Sequence, residues 1–473
     1  MDTIWDLEQF GHRLAIEDDK GISLTYESFQ KESDRLYGYI GKRCLIFSLC
    51  ENTVGSVLGY VSCLNNGIVP LLLNANMEGE MLKHLLDIYC PVYLWAPVNH
   101  NAPFFDQFDK VYEAYNYVLF KTNYQNESRL YDELALLLTT SGSTGSPKFV
   151  RQSYSNIKSN TAAIIQYLEI DHSERPITTL PMNYTYGLSV INTHLAVGAT
   201  ILLTDKTLMQ KEFWQFFKEK EATSFAGVPY TYEILNKLRF FRMDLPHLRT
   251  MTQAGGKLTP EIHEKFARYA REAGKKFFVM YGQCEATARM GYLPAHMAVE
   301  KKGSMGIAIP GGRFRLIDES GNEINTPYTT GELVYEGANV TLGYAEQASD
   351  LAKGDERGGV LETGDMAQFD QDGYYYIVGR KKRFLKIYGN RVNLDEVDRL
   401  IKGKFEIEAA CAGIDDHMYI FVTDEAIASE VKSYVSRTTK LNPTAFKTVV
   451  IDEIPKSDSG KTKYTELEKY YDL

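Results

Sequence analysis

Residues 139–148 read TTSGSTGSPK, directly after an apolar run, Leu134 to Leu138, that predicts a buried strand. Glycine lets backbone N–H groups approach an anion, Ser and Thr hydroxyls add hydrogen-bond donors, and the closing lysine adds a positive charge. This composition favours a phosphate-binding loop, although an ordinary polar loop has a similar composition. It is not a P-loop, because Lys148 follows Pro147 and precedes Phe149, so a P-loop kinase or GTPase is disfavoured.

The whole chain has 473 residues, 44% of them hydrophobic and 24% charged, and a chain of this size is expected to form two or more domains. No apolar run approaches the length of a membrane span. The first ten residues, MDTIWDLEQF, carry acidic groups where a secretory signal carries basic ones, so we expect a soluble, cytoplasmic protein. The six cysteines show no Cys-x-x-Cys spacing, which argues against a zinc knuckle or a disulfide framework. The net charge of −10, without a basic stripe, argues against nucleic-acid binding.

Short apolar segments alternate with helical patterns such as Ile157 to Leu168, and this alternation predicts an α/β fold. The expected strands are Cys44 to Leu49, Val69 to Leu73, Val92 to Trp95, Ile201 to Leu203 and Phe277 to Tyr281. Later in the chain, frequent glycines between short segments predict a β-rich subdomain. The C-terminal part, with strands at Met418 to Val422 and Thr448 to Ile451, predicts a small α+β domain.

Four further segments share the phosphate-binding character: AGGKLTPEI at 254–262, YGQCEAT at 281–287, ETGDMAQFDQDGYYYIVGRKKRFLKIYGNRV at 362–392, and PKSDSGKTKY at 455–464. With TTSGSTGSPK, and in this order, they closely resemble the superfamily of AMP-forming acyl-CoA synthetases, peptide-synthetase adenylation domains and firefly luciferases. The resemblance runs from about Leu24 to Tyr464. It implies a large N-terminal α/β body with a β-rich subdomain at residues 1–381, and a small C-terminal α+β lid domain at 382–473, joined by a hinge at Lys382.

The resemblance also implies an enzyme that joins a carboxylic acid to ATP, with Mg²⁺, to give an acyl-adenylate and pyrophosphate, and then passes the acyl group to a thiol. The expected catalytic residues are Lys461, Glu285, Lys148 and Thr140, with Glu285 as the Mg²⁺ ligand and Lys461 reaching the carboxylate and α-phosphate. The expected nucleotide-binding residues are Thr140, Ser141, Gly142, Ser143, Thr144, Gly145, Lys148, Gly255, Gly256, Tyr281, Gly282, Gln283, Cys284, Asp365 and Arg380.

The resemblance implies a chemical role for several of these residues. Tyr281 is expected to stack on adenine, and Gly255 and Gly256 let the backbone lie against the base. Asp365 is expected to accept both ribose hydroxyls, with Arg380 beside it. Most relatives carry Thr where this chain has Cys284. A thiol is a weaker donor to the α-phosphate, so either that hydrogen bond is dispensable or activity is reduced.

The acid is expected near Tyr184, Tyr186, Gly187, Val228 and Arg289, with Pro229 and Tyr232 close by. In amino-acid-activating members an aspartate pairs with the substrate amine, and Gly187 stands in its place here, which predicts an acid without a free α-amino group. Arg289 is expected either to meet a polar substituent of the substrate or to form a structural salt bridge.

Several alternatives stay open. The thiol acceptor is either coenzyme A or the phosphopantetheine of an acyl carrier protein, and the lid is short, with Tyr464 where many relatives have Arg. The expected partner is a small carboxylic acid, with no nucleic acid and no membrane span. Another class of function is a non-catalytic nucleotide-binding or scaffold protein, which Cys284 favours and the retained Lys148, Glu285, Asp365 and Lys461 oppose. Luciferase-like oxidation is a third.

Overall fold

The computed structural model describes residues 4–100, 103–124, 129–139, 148–388, 390–456 and 462–471. The chain forms two compact units, one of residues 1–314 and 335–361 and the other of residues 315–334 and 362–473. The predicted fold class is confirmed: the first unit is an α/β body, and the second combines a β-rich part with a small α+β part. None of the helices within the described ranges is both long and apolar enough to cross a bilayer.

The strands up to residue 310 are β1 Leu14–Asp18, β2 Ser23–Thr25, β3 Leu45–Cys50, β4 Val69–Asn74, β5 Tyr93–Pro97, β6 Asp109–Ala114, β7 Tyr117–Lys121, β8 Leu134–Thr139, β9 Phe149–Ser153, β10 Pro176–Ile177, β11 Ile201–Leu203, β12 Ser224–Gly227, β13 Thr250–Gln253, β14 Lys276–Tyr281, β15 Gly291–Leu293 and β16 Ile307–Ala308. The later strands are β17 Arg313–Ile317, β18 Gly331–Glu336, β19 Gly343–Ala345, β20 Val360–Phe369, β21 Tyr375–Arg380, β22 Phe384–Ile387, β23 Asn390–Asn393, β24 Ala409–Ile414, β25 His417–Val422 and β26 Phe446–Val450.

The α-helices are α1 Tyr26–Ile40, α2 Val54–Asn65, α3 Gly79–Tyr89, α4 Tyr154–Leu168, α5 Thr185–Ala196, α6 Lys211–Glu219, α7 Pro229–Lys237, α8 Pro260–Glu272, α9 Leu394–Phe405 and α10 Ala428–Thr439. Local sequence explains several of their starts. Ser153 and Asn156 form a reciprocal capping box at the start of α4. Thr259 caps α8, and Pro260 takes the first helical position, where its missing N–H costs nothing.

A nine-stranded sheet forms one layer of the first unit, in the order β16-β15-β14-β13-β12-β10-β11-β1-β2. Its central strands, in the order β14-β13-β12-β10-β11-β1, pair in parallel, so their carboxyl ends meet at one edge. Ligands of open α/β sheets bind at that edge. The predicted strands at 201–203 and 277–281 both lie in this sheet.

An eight-stranded sheet forms a second layer, in the order β19-β9-β8-β4-β3-β5-β7-β6. β8 and β9 pair antiparallel, with Thr139 opposite Phe149, so residues 140–148 connect the two strands of a hairpin. β19 adds to the edge of β9, with Tyr344 opposite Val150. Of the glycine-rich motif, Thr139 ends β8 and Lys148 directly precedes β9, and residues 140–147 lie outside the described ranges.

Both sheets of the first unit share a hydrophobic core. One buried cluster joins Ile16 and Ile201 of the nine-stranded sheet to Leu72 of the eight-stranded sheet, together with side chains of α2 and α5. Because α2 is buried along almost its whole length, it reads as an apolar run with little amphipathic pattern. Because α5 belongs to this cluster, which contains residues of both sheets, its position is fixed, and so is the position of the residues at its N-terminus.

The second unit contains the four-stranded sheet β17-β18-β20-β21 and the two-stranded sheet β22-β23. Its C-terminal part is a three-stranded sheet, β24-β25-β26, packed against α9 and α10 around the buried residues Val397, Ile401, Ile420 and Val431. The predicted strands near 418 and 448 are β25 and β26. The domain boundary at 381/382 and the hinge at Lys382 concern movement, and they stay predictions.

Candidate active site

The carboxyl edge of the nine-stranded sheet brings residues of the nucleotide and acid predictions together. Gly255 follows β13, and its φ of +82° is one that residues other than glycine rarely adopt. A Cβ there would lie 2.6 Å from the Tyr184 hydroxyl oxygen and 3.1 Å from a Val228 methyl carbon. The backbone at Gly255, expected to face adenine, is therefore adjacent to two residues expected to face the acid. A Cβ on Gly256 would lie 3.0 Å from Pro229 Cγ.

Tyr281 and Gly282 end the neighbouring strand β14. Tyr281 is half-buried, meets the Phe314 ring edge-on at 6.3 Å, and accepts a hydrogen bond from the Gln283 amide at 3.2 Å. A Cβ on Gly282 would lie 1.7 Å from the Ala288 carbonyl oxygen, so only glycine fits. The packing of the turn after β14 thus gives Gly282 a structural reason besides the nucleotide contact predicted for it. Cys284 is buried in that turn, and its contact with the α-phosphate stays a prediction.

The Glu285 carboxylate is held by a tyrosine that the sequence motifs did not single out. The Tyr344 hydroxyl donates to Glu285 Oε1 at 2.7 Å. Partial burial and the nearby Glu285 charge raise the pKa of Tyr344 to about 12, so the phenol stays protonated and able to donate. The Glu285 backbone is also fixed, because its carbonyl accepts from the Thr341 N–H and from the Arg357 guanidinium, both at 3.0 Å.

Two cationic groups lie over the same Tyr344 ring. Lys148 Nζ is 5.7 Å from the ring centroid and the Arg357 guanidinium carbon is 4.8 Å from it. Lys148 is exposed and also pairs with Glu346 at 2.7 Å. The structure therefore places the lysine that closes the glycine-rich motif beside the predicted metal ligand Glu285, and we call Lys148, Glu285, Tyr344 and Arg357 the Tyr344 cluster.

The Tyr344 cluster fits a magnesium–triphosphate group. Within the described ranges, no group of three or more His, Cys, Asp or Glu side chains is arranged to hold a metal ion. Magnesium bound to a nucleotide takes most of its ligands from phosphate oxygens and water and needs only one or two protein carboxylates. Glu285 supplies one such carboxylate, flanked by two cations suited to phosphate oxygens.

Of the residues predicted near the acid, Tyr184 and Tyr186 contact each other, whereas Gly187 and Tyr232 have packing roles. Tyr184 lies just before α5 and Tyr186 lies on it, with their ring centroids 6.3 Å apart. The Tyr186 hydroxyl donates to the Thr252 hydroxyl at 2.9 Å. Gly187 is a packing position, because a Cβ there would lie 2.3 Å from the Pro181 carbonyl oxygen. Tyr232 is fully buried, and its hydroxyl donates to the Thr252 carbonyl at 2.7 Å, so it belongs to the core.

Arg289 is buried against Tyr186, with its guanidinium carbon 4.1 Å from the ring centroid. The alternative of a structural salt bridge fails for the described residues, since none of their carboxylates pairs with it. Its neutral contacts are the Ser189 hydroxyl at 2.9 Å and the Met280 sulfur.

The second unit contains the two residues that are predicted to bind the ribose, Asp365 and Arg380. Asp365 on β20 is opposite Arg380 on β21, with Arg380 Nε 3.6 Å from an Asp365 oxygen. Thr363 fixes the turn before Asp365, because its hydroxyl donates to the Leu333 carbonyl at 2.7 Å and accepts from the Asp365 N–H at 3.1 Å. The two residues expected at the ribose are therefore paired.

A buried ionic cluster lies next to the predicted hinge residue, Lys382. Arg383 pairs with Asp395 at 2.8 Å and with Asp398 at 2.7 Å, and it lies 3.6 Å from the Tyr464 ring centroid. The Tyr464 hydroxyl donates to Asp398 at 3.0 Å. Burial outweighs the Arg383 charge and raises the pKa of Asp398 to about 6. Tyr464, where many relatives have Arg, thus has a structural partner.

Lys461 lies outside the described residues, as do Thr140, Ser141, Gly142, Ser143, Thr144 and Gly145. The residues that flank Lys461 are described: Lys456 and Thr462 form an antiparallel bridge, and the Lys463 N–H donates to the Pro455 carbonyl at 2.8 Å.

The chain is similar in sequence to a known family and to curated proteins. A profile of the family described as AMP-binding enzyme matches residues 5–345. The curated 4-hydroxybutyrate–CoA ligase 1 of Metallosphaera sedula is 29% identical over 377 residues, covering 74% of this chain and 64% of that protein. The oxalate–CoA ligase of Arabidopsis thaliana is 29% identical over 353 residues, covering 70% of this chain and 66% of that protein. The chain thus spans less than two thirds of the length of these relatives.

Solved structures match nearly the whole chain. The O-succinylbenzoate coenzyme A synthetase of Bacillus subtilis in complex with AMP gives a TM-score of 0.80 at 22% identity, covering 98% of this chain and 97% of that one. MatB from Rhodopseudomonas palustris bound to ATP gives 0.76 at 21% identity, covering 99% of both chains. At these identities the structural matches establish the fold.

Proposed function

The chain belongs to the family of AMP-binding enzymes, whose profile covers residues 5–345, and from this premise we propose that it activates a carboxylic acid with ATP and transfers the acyl group to a thiol. The first product is an acyl-adenylate with release of pyrophosphate, and the second is a thioester with release of AMP. The acid lacks a free α-amino group, since Gly187 stands where an amine-binding carboxylate would be.

The Tyr344 cluster is the observation that carries this proposal. A carboxylate that attacks an α-phosphate brings two anions together, so the site must neutralise and orient charge. Lys148 and Glu285 are far apart in the sequence, yet both contact the Tyr344 ring or its hydroxyl. Bound Mg²⁺ would screen the phosphate charge, with Glu285 as its protein ligand, while Lys148 and Arg357 supply positive charge beside it.

Neither step forms a covalent bond to a side chain of the protein. An oxygen of the substrate carboxylate forms a bond to the α-phosphorus as the bond from phosphorus to the pyrophosphate oxygen breaks. In the second step the thiol sulfur attacks the acyl carbon, and the bond to AMP breaks with loss of the thiol proton. The roles of this chain are to hold the triphosphate with Lys148, the ribose with Asp365, and the developing negative charge with Lys461. Movement of the lid about Lys382 would separate the two steps.

Coenzyme A is the acceptor we propose, because the curated relatives that match are named as CoA ligases. A phosphopantetheine on an acyl carrier protein uses the same thiol chemistry and serves as the competing acceptor. Offering each thiol to enzyme that already holds its acyl-adenylate decides between them: thioester formation with free coenzyme A supports the proposal, and formation only with the carrier-bound thiol overturns this choice of acceptor.

The first half-reaction is tested by pyrophosphate release from ATP and Mg²⁺ over a panel of carboxylic acids. We expect at least one acid to support release, and Glu285→Gln to lower the rate by about 10² or more. Glu113→Gln is the matched control, since Glu113 is an exposed carboxylate on β6. A wild-type protein that binds ATP but releases no pyrophosphate with any acid would support the non-catalytic alternative, for which Cys284 is the main argument.

A further inference from the structure

Arg289 is a buried cation in the first unit, with 2% of its surface exposed. Its guanidinium stacks on Tyr186 and donates to Ser189. Its Nε has no hydrogen-bond partner among the described residues. An arginine stays charged in proteins, and an isolated charge is costly to bury, so buried charges are normally paired.

The other buried arginines of the described chain follow that rule. Arg151 pairs with Glu356, and Arg383 pairs with two aspartates. The phenols around Arg289 do not serve as anions: burial raises the pKa of Tyr167 to about 12 and also raises that of Tyr186. Arg289 is thus surrounded by neutral protein groups, and its charge is available to an anion from outside the chain.

Arg289 lines a small cavity that α4 and α5 form with β12 and β13. The apolar part of the wall consists of Ile164, Leu168, Ile170, Val190, Phe225 and Ala226. The other lining residues, apart from Pro176, are polar or charged, so this wall matches a chemical group with both an apolar part and a polar end.

The other titratable groups of this wall leave the Arg289 charge uncompensated. Glu174 is the wall's carboxylate, and it already accepts from Thr223 and lies 3.5 Å from Arg249. Burial lowers the pKa of His194 to about 4, so its ring is neutral at physiological pH. The cavity therefore combines a partly apolar wall with a cation, Arg289, that lacks a counter-ion among the described residues.

A row of contacts joins this cavity to the acid site at the sheet edge. Gly255 lies against the Tyr184 hydroxyl, the Tyr184 ring meets Tyr186 edge-on, and Tyr186 covers the Arg289 guanidinium. Arg289 thus follows the two tyrosines in the row of contacts that begins at Gly255.

From this arrangement we propose that the acid substrate is a dicarboxylic acid, whose second carboxylate is bound by Arg289 while the first is adenylated. This inference rests on the proposed function and adds the substrate class to it. The guanidinium fork matches a carboxylate in two parallel hydrogen bonds, and its free Nε is one of the donors available for that pairing.

The test compares each α,ω-dicarboxylic acid of three to ten carbons with its own monomethyl ester, which has nearly the same shape but one negative charge fewer. ATP–pyrophosphate exchange gives kcat/KM for each. We expect the wild-type enzyme to prefer one diacid over its ester by about 10²-fold or more, because a site built for a polar group discriminates strongly against an analogue that leaves it unpaired.

Two variants separate recognition from structural support. Arg289→Met removes the charge and should abolish the preference for the diacid, mainly through its KM, while the KM for ATP stays unchanged. Arg289→Lys keeps the charge without the fork and should retain part of the preference. Arg242→Met, which removes an exposed arginine, is the matched control and should keep the full preference.

The outcomes distinguish the two proposals. Exchange driven as well by the esters as by the diacids would overturn the dicarboxylate inference and leave acid activation standing. That wild-type comparison decides the matter even if Arg289→Met fails to fold. An unchanged diacid preference in a folded Arg289→Met variant would also overturn the role of Arg289. Exchange with no acid of either kind would refute the proposed function itself, and this inference with it.

Discussion

Replacing Tyr344 with Phe removes one hydroxyl group and keeps the ring on which Lys148 and Arg357 lie. The lost hydrogen bond, 2.7 Å long, ends on the Glu285 carboxylate, and hydrogen bonds to charged groups contribute about 1.5–3 kcal/mol. Because Tyr344 and Glu285 are only half-buried, solvent reduces this contribution to its lower part, about 1.5–2 kcal/mol. At about 1.4 kcal/mol for each tenfold change, kcat/KM for adenylation should fall about 10- to 30-fold.

The assay is pyrophosphate release at saturating acid, with the Mg²⁺ concentration varied. Because Tyr344 orients the proposed metal ligand, the Mg²⁺ concentration that gives half the maximal rate should rise in Tyr344→Phe. Tyr117→Phe is the control: it removes a buried hydroxyl that donates to the Leu49 carbonyl at 2.9 Å, so it should lower stability and leave the Mg²⁺ dependence unchanged. A folded Tyr344→Phe protein with wild-type kcat/KM and wild-type Mg²⁺ dependence would refute the role given to the Tyr344 cluster.

Three further predictions address stability, pH and the lid. Arg151→Met leaves several backbone carbonyls without their buried donor, while Glu356, which is half exposed, stays hydrated; it should lower the free energy of unfolding by about 1–3 kcal/mol, measured in urea. The His194 pKa falls from 6.5 to about 4 on folding, so the unfolded chain binds the extra proton between these values. Stability from this group is complete above pH 6.5 and declines by about 3 kcal/mol as the pH drops to 4; His194→Asn, compared with the wild type by thermal unfolding at each pH, should lack this decline. Lys461→Ala should slow adenylation by about 10² to 10³ and leave thioester formation from supplied adenylate nearly intact; equal losses in the two separately assayed half-reactions would contradict the lid role.

The sequence predicts the architecture well because central strands of the eight-stranded sheet, such as β3, β4 and β8, are buried on both faces. Their apolar runs, such as Leu134 to Leu138, are visible without any structure, and the observed strand is Leu134–Thr139. The helix predicted from Ile157 is longer in the structure, because its start depends on the capping pair Ser153 and Asn156 rather than on apolar spacing. Residues 315–334 belong with the second unit, an association across a long sequence separation that no local pattern signals.

The candidate site is less visible in the sequence. Lys148, Glu285 and Asp365 stand in recognisable motifs. Tyr344 comes from a three-residue edge strand, and only the antiparallel pairing of β19 with β9 brings it to Lys148 and Glu285. A tyrosine in a Gly-Tyr-Ala segment offered no signal beyond its hydroxyl. Gly282 shows the reverse case, because the motif suggests a ligand contact and the packing against Ala288 alone requires glycine. Nor can a sequence show that Arg289 lacks a carboxylate partner, since that depends on every neighbour.

β19 has one more consequence, which follows from its place at the rim of the eight-stranded sheet. Without these three residues, β9 would present a row of unpaired N–H and C=O groups, the kind of template on which chains associate edge to edge. Substitutions that loosen β19 should therefore cause aggregation together with loss of activity. The solubility of the expressed protein and its catalytic activity therefore both depend on Gly343–Ala345. A screen for soluble variants would thus also select for an intact Tyr344 cluster without measuring catalysis.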